Sequence, residues 1–297
     1  MVGKLGMEDA KKAHLADLAV QEKYGVIYHQ YWFNEEAGTV YCLMEGPDKE
    51  SCAATHLEAN GLAACQIVEV EGGLYDVFMG VDQKVDDHGM VRHESGEIDT
   101  GFRYIFTLSI IANTTLSDSI NFDQLKLPKI PKRKALQIIN EHNGNDISTK
   151  GFDCIIAVFQ DAKSALKCAH EIQREFLKYR LDNSRNKIDI SFNMGISIGQ
   201  PLTEKEGFFV KAIQMSQRLC LIAGDKEIIT SRIFEDYCDI DEKVKNHIGL
   251  RTIKPSEQEF LGNLLDVIEN GLSDESFGVD FLCREIGVSQ PQLYRKV

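Results

Sequence analysis

Five polar side chains near the end of the chain have the types and spacing that bind nucleic acid. They are Ser289, Gln290, Gln292, Arg295 and Lys296. Amide groups can hydrogen-bond to base edges, cationic groups can bind phosphate, and a serine hydroxyl can cap a helix. Gly287 provides a tight turn between two short predicted helices, Gly278–Ile286 and Gln290–Val297, as in a helix-turn-helix. This spacing predicts contact with DNA.

The charge of the chain limits that contact. The formal net charge is −13, and an acidic protein repels phosphate. Residues 255–297 also carry more acidic than basic side chains. The sequence stops within the helix that should enter the groove, so we expect tight DNA binding only from a longer form. A helical dimerisation tail is the alternative interpretation.

The segment from Phe277 to Lys296, FGVDFLCREIGVSQPQLYRK, resembles the AraC-type transcriptional regulators. It matches the family pattern nearly position by position over the first of that family's two helix-turn-helix units. The resemblance implies a transcriptional regulator and not an enzyme. Its partners would be DNA, a second copy of the chain in a homodimer, and a small-molecule or nucleotide effector.

Four segments in the middle of the chain resemble the class III nucleotide cyclase domain. They are Tyr104–Thr114, Phe152–Phe159, Met194–Gly199 and Ser216–Ser231. In that family two carboxylates hold two metal ions on a nucleoside triphosphate, because negative charge builds up at the reacting phosphorus.

The positions that carry the chemistry in that family are mostly substituted here. Ser109 stands at the first carboxylate and Asp153 at the second. Thr149 stands at the purine-reading lysine, Gln214 at the transition-state asparagine, and Arg218 keeps the arginine. Losing one carboxylate removes several kcal/mol of transition-state stabilisation. We therefore predict a non-catalytic domain that binds a nucleotide or another ligand, or only dimerises. An active nucleotide cyclase is the alternative.

Residues 8–71 resemble a small ferredoxin-like family of unknown function that includes a protein described as nickel-binding. The segments Ala13–Val26 and Tyr31–Pro47 carry the resemblance. Three matching positions could ligate a metal: His14, Cys42 and His56. Imidazole and thiolate suit nickel or another transition metal. The three are scattered, and Asn60 replaces a further family histidine, so a metal-binding protein is a third interpretation.

The elements that must position these residues fall into four parts. Residues 1–71 show helix, strand, strand, helix and strand (Ala64–Val70), which predicts a ferredoxin-like unit without its first strand. Residues 72–101 indicate a linker or an extended hairpin connection. Residues 102–250 form the cyclase-like unit, with a proline-containing loop before a short helix at Ala135–His142. Residues 255–297 are helical.

The predicted fold class is α+β. Two ferredoxin-like or cyclase-like α/β sandwich domains are followed by a partial all-α helix-turn-helix segment. The eight cysteines include no C-x-x-C pair, which favours free thiols in a reducing compartment. The sequence has no signal-peptide pattern and no apolar run of the ~20 residues that span a bilayer. It therefore predicts a cytoplasmic protein with no membrane partner.

Overall fold

The computed structural model describes residues 6–61, 66–81, 83–93, 95–114, 129–149, 154–183, 188–201, 207–238, 245, 248–273 and 277–296. The protein is of the mixed α+β class, as the sequence predicts. Its largest sheet has six strands, and two further pairs of strands lie in its first hundred residues.

The first unit is a strand pair covered by two helices. Its elements are α1 (Met7–Tyr24), β1 (Ile27–Asn34), β2 (Thr39–Glu45) and α2 (Lys49–Asn60). Helix α1 ends at Gly25, whose φ of 64° suits a residue without a side chain. Helix α2 begins after Asp48, whose carboxylate accepts a hydrogen bond from the Ser51 amide.

The third strand predicted for this unit is not formed. Residues 66–70, the described part of Ala64–Val70, have no regular secondary structure. The open edge of β1 is used by a later segment: the Tyr31 amide donates to the Gly89 carbonyl at 2.9 Å, and Tyr31 forms a bridge with Met90. A strand edge offers one set of hydrogen-bonding groups, and at Tyr31 that set is paired with the later segment.

Residues 72–101 contain more structure than the predicted linker. They form α3 (Gly72–Met79), β3 (Lys84–Val85) and β4 (Val91–Arg92), the two strands being an antiparallel pair. Phe78 and Met79 at the end of α3 are buried. The glycines of residues 72–101 predict turns in this segment. They do not predict the burial of α3, because that burial depends on residues far away in sequence.

A buried arginine joins α3 to the central sheet. Arg103 is fully buried, and its guanidinium binds both carboxylate oxygens of Asp99 at 2.9 Å. The same group donates to the backbone carbonyls of Phe78 and Met79 at 2.7 and 3.2 Å. A charge out of water needs such complete pairing.

The second unit is built on the six-stranded sheet. Its elements are β5 (Arg103–Thr114), α4 (Lys129–Glu141), β6 (Asn145–Asp146), β7 (Cys154–Phe159), α5 (Ala162–Asn183), β8 (Ile188–Gly199), α6 (Val210–Ile222), β9 (Ile228–Thr230), α7 (Arg232–Tyr237) and β10 (Leu250–Thr252). The strand order is β10-β9-β8-β5-β7-β6. The β8–β9 and β9–β10 pairs are parallel, and the others are antiparallel.

Apolar residues alternate with other residues along β8 in the sequence, and the burial of the strand follows this alternation. Ile190, Phe192, Met194, Ile196 and Ile198 are all buried in the main core, which also contains residues of α4 and α5. Helix α4 starts earlier than predicted, at Lys129. Pro131 lies in its first turn, where a missing N–H removes no helical hydrogen bond.

The last part of the chain is helical. It consists of α8 (Pro255–Gly271), α9 (Val279–Glu285) and α10 (Gln290–Lys296). Helix α8 packs on the second unit, with Leu261 in one apolar cluster with Leu219 of α6. Helix α9 has no buried residue, and α10 has one, Leu293.

We expect Arg103→Met to lower the free energy of unfolding by about 3–5 kcal/mol, because Asp99 would remain buried without its partner. Urea denaturation followed by circular dichroism measures the change. Arg174→Met is the matched control, since Arg174 is 64% exposed in its ion pair with Glu171, and its loss should cost about 0–1 kcal/mol. Equal losses in the two variants would contradict this role of Arg103.

Candidate functional site

Helix α6 lies unusually close to the central sheet because β8 has glycines beneath it. A Cβ atom at Gly195 would lie 2.2 Å from the Ser216 carbonyl oxygen, and one at Gly199 would lie 2.3 Å from the Ala212 Cβ. Any larger residue at either position would push the helix away. The two glycines therefore fix the distance between α6 and the sheet.

Buried hydroxyl groups fix the rotation of α6 on the sheet. The Thr107 and Ser216 hydroxyls lie 2.8 Å apart, and the Ser197 hydroxyl donates to the Ala212 carbonyl at 2.6 Å. As a result, Gln214 is exposed and Arg218 is buried.

Ser109 lies in the middle of the sheet, half-buried on β5. Its direct neighbours are Cys154 on β7 and Asn193 on β8. The Cys220 thiol of α6 lies at the Ser109 backbone and donates to the Asn193 carbonyl at 3.3 Å. Burial raises the pKa of Cys220 to about 12, so this thiol stays protonated.

The other residues at cyclase-like positions have different surroundings. Asp153 lies outside the described residues and directly precedes Cys154 in sequence. Thr149 is exposed in the segment after β6. Gln214 and Arg218 are four residues apart, which places them on neighbouring positions of one helix face.

Arg218 is held by two acidic residues of α8. Its guanidinium binds the Asp266 carboxylate, and Glu269 lies 3.4 Å away. The Arg218 side chain is 10% exposed, whereas those of Asp266 and Glu269 are 59% and 57% exposed. The sequence analysis missed both acids. Their spacing of three residues on a helix was the available signal, but it gave no indication of their partner.

His14 is buried in an aromatic pocket of the first unit. Its ring centroid lies 4.7 Å from that of Tyr31 and 6.0 Å from that of Tyr28. The His14 Nδ1 atom and both tyrosine hydroxyls are buried, and no hydrogen-bond partner lies within the part of the chain that the structure describes. Burial lowers the pKa of His14 from its usual value, 6.5. The imidazole is therefore neutral at pH 7.

The three predicted metal ligands do not assemble into a metal site. His56 binds Asp17 through Nδ1 at 3.0 Å, and the Tyr28 ring contacts both His14 and His56. Burial raises the pKa of the Cys42 thiol to about 12, which disfavours the thiolate that binds metal. Among the described residues, no group of three or more His, Cys, Asp or Glu side chains could hold a metal ion.

The polar residues of the helix-turn-helix segment are largely engaged within the protein. Gln290 donates to Asp280 at 2.6 Å. The Ser289 amide and hydroxyl donate to Gln292. Lys296 lies over the Phe260 ring, 4.6 Å from its centroid. Arg295 donates to a backbone carbonyl of its own helix.

Two comparisons find similar proteins. Residues 1–70 match the family described as "Nickel responsive protein SCO4226-like". Among solved structures, an adenylate/guanylate cyclase/hydrolase from Silicibacter pomeroyi is 28% identical, with 46% of this chain and 79% of that chain covered and a TM-score of 0.36. No curated protein matches the sequence.

Two further cyclase structures match over a similar length. The guanylyl cyclase Cya2 is 20% identical, with 46% of this chain and 78% of that chain covered and a TM-score of 0.37. The adenylyl cyclase CyaB from P. aeruginosa is 14% identical, with 46% of this chain and 79% of that chain covered and a TM-score of 0.37.

The prediction of an AraC-type transcriptional regulator is wrong. The solved structures reported above are nucleotide cyclases, and the family model that matches residues 1–70 is described as nickel-responsive, not as DNA-binding. The prediction that the chain is not an enzyme, with a non-catalytic middle unit, is corrected by the same finding. In the structure, Gln290 contacts Asp280 of α9 and Lys296 contacts Phe260 of α8, while Gln292 binds Ser289 of its own segment.

None of the helices within the described ranges is both long and apolar enough to cross a bilayer.

We expect the melting temperature to fall more steeply between pH 7.5 and pH 5.5 in the wild type than in His14→Gln. A histidine whose folded pKa is depressed contributes stability above its unfolded pKa, near 6.5. That stability is lost as the pH falls through the lower folded value. His29→Gln, at an exposed position of β1, is the matched control. The same pH dependence in His14→Gln and the wild type would contradict this assignment.

Proposed function

We propose that residues 102–250 bind a nucleoside triphosphate and convert it slowly to a cyclic nucleotide. The supporting observation is the strand register that sets Ser109 opposite Cys154, the residue after Asp153. Adjacent antiparallel strands thus carry Ser109 and the residue that follows Asp153 in the sequence. The activity would use cytoplasmic nucleotides, in keeping with the location that the sequence predicts.

The reaction joins two parts of one substrate. The ribose 3′-oxygen attacks the α-phosphorus, forming a new O–P bond as the bond to the β-phosphate oxygen breaks. Pyrophosphate leaves, and the 3′-hydroxyl proton passes to solvent. A divalent ion, when bound, would neutralise charge on the triphosphate, and Asp153 is the residue proposed to hold it.

The neutral hydroxyl of Ser109 does not fit a second metal-bridging position. Magnesium and manganese ions prefer anionic oxygen ligands, and a protonated hydroxyl supplies no charge. The missing carboxylate is the physical reason for a slow reaction. We derive no step through a second metal ion.

Arg218 is the proposed partner of the triphosphate on α6. A guanidinium offers a planar set of donors that matches phosphate oxygens, and the contacts of α6 with β8 hold the helix at a fixed distance. Gln214 is the proposed companion one turn earlier. A homodimer is also part of this proposal, and its contact would cover the apolar side chain of Leu221 on α6, which is 73% exposed.

We expect Ser109→Asp to raise the rate of cyclic nucleotide formation by about 10²-fold or more, the size of effect that one well-placed electrostatic group has on a transition state. ATP and GTP are each supplied with Mn²⁺, and cyclic AMP and cyclic GMP are measured by mass spectrometry. The wild type should give a slow but measurable rate that Asp153→Asn abolishes.

Ser256→Asp is the matched control, because it adds the same charge at an exposed position of α8 and should leave the rate unchanged. No cyclic product from either the wild type or Ser109→Asp would rule out the proposed reaction. A wild-type rate that persists in Asp153→Asn would rule out the assigned carboxylate.

Metal binding by the first unit is a second candidate function. The match of residues 1–70 to a nickel-responsive family favours it, although His14, Cys42 and His56 do not assemble into a site. Dialysis against nickel followed by elemental analysis tests it. Retention of one nickel per chain, lowered by His14→Gln, would support this function. A nickel content no higher than that of a denatured control would end it.

A further inference from the structure

The contact between α6 and α8 places a buried positive charge beneath two half-exposed negative ones. Asp266 and Glu269 are three residues apart, so both carboxylates lie on the same side of α8. Both reach one nitrogen of the Arg218 guanidinium, Nη2. A phosphate group likewise presents more than one anionic oxygen to a guanidinium.

The pairing of Arg218 is incomplete, unlike that of the other buried arginine. Among the described residues, the buried Arg218 Nε atom has no hydrogen-bond partner, whereas every nitrogen of the Arg103 side chain donates a hydrogen bond. An unpaired buried donor destabilises the contact in which it lies. A ligand with more oxygen atoms, such as a triphosphate, could therefore satisfy Arg218 better than α8 does.

Apolar packing positions α8 over this part of α6. Leu261 of α8 shares one cluster with Leu219, Ala223, Ile229 and Ile253, and Leu265 packs against it. Arg218 and Leu219 are adjacent on α6, so the apolar contact and the ionic contact belong to the same helix pair. The ionic part of the contact is the more accessible to solvent, and it can be lost first.

We propose that α8 is a self-inhibiting segment whose Asp266 and Glu269 occupy Arg218 in place of a substrate triphosphate. The proposal rests on the proposed function, because it assigns a regulation to the same site. Binding of ATP or GTP and the closed position of α8 then compete for one guanidinium. By reciprocal coupling, a bound nucleotide must weaken the contact of α8 as much as α8 weakens nucleotide binding.

The test uses the full chain with the double substitution Asp266→Asn and Glu269→Gln, which keeps the shape of both side chains and removes their charges. Isothermal titration calorimetry measures the affinity for ATP and for GTP in the presence of Mn²⁺. We expect the double variant to bind at least one of them roughly tenfold more tightly than the wild type, equal to about 1.4 kcal/mol. Adding Arg218→Met to the double variant should abolish this gain.

Glu259→Gln is the matched control, since Glu259 is an exposed acid of the same helix and its loss changes the net charge without freeing Arg218. Equal affinity in the wild type and the double variant would overturn the proposal, and so would an equal gain in Glu259→Gln. Amide hydrogen exchange supplies a second readout in the unsubstituted protein. Nucleotide should speed exchange in α8, and unchanged exchange at saturating nucleotide would also overturn the proposal.

The experiments distinguish two outcomes: that α8 does not inhibit nucleotide binding, and that the chain does not form a cyclic nucleotide. Tighter nucleotide binding in the double variant, without cyclic product in a Ser109→Asp background, would keep the inhibitory role of α8 and remove the cyclase reaction. Cyclic product in Ser109→Asp, with no further change on adding the double substitution, would keep the reaction and remove the inhibitory role.

Discussion

The burial of two guanidinium groups is the constraint on which the arrangement of the chain depends. A charge removed from water must be paired, or the fold loses several kcal/mol. Arg103 meets this demand with Asp99 and three backbone carbonyls, and it thereby joins α3 to the first residue of β5. Arg218 meets it less completely, through acids that stay half-exposed. The first pairing fits a permanent contact and the second an exchangeable one.

The close approach of α6 to β8 connects this constraint to chemistry. Gly195 and Gly199 allow the helix to lie on the sheet, so that Cys220 reaches the backbone of Ser109 while Arg218 is turned towards α8. Under the proposed function, Ser109 stands where a carboxylate would hold a metal ion, and its neutral hydroxyl lacks the charge that a fast reaction would use. The scaffold and the chemistry are therefore set by different residues.

The C-terminal helices illustrate how a local pattern can predict structure correctly and function wrongly. The two short helices around Gly287 are present with nearly the predicted bounds. Their polar side chains were expected to face a DNA groove, yet Gln290 binds Asp280 and Lys296 covers Phe260. A helix-turn-helix sequence pattern specifies a turn and a packing face. It does not specify what the remaining side chains touch.

The sequence by itself determined the elements whose signals are local. The alternation of β8, the hairpin between β1 and β2, and the helix ends at Gly25 and Gly61 follow from side-chain periodicity and turn chemistry within about ten residues. Of the candidate site, the sequence supplied the positions of Ser109 and Arg218. Only the tertiary structure decided that the edge of β1 pairs with Gly89 and not with residues 66–70. It also decided that Arg218 is held by Asp266, 48 residues away, because such pairing depends on where the whole fold places each charge.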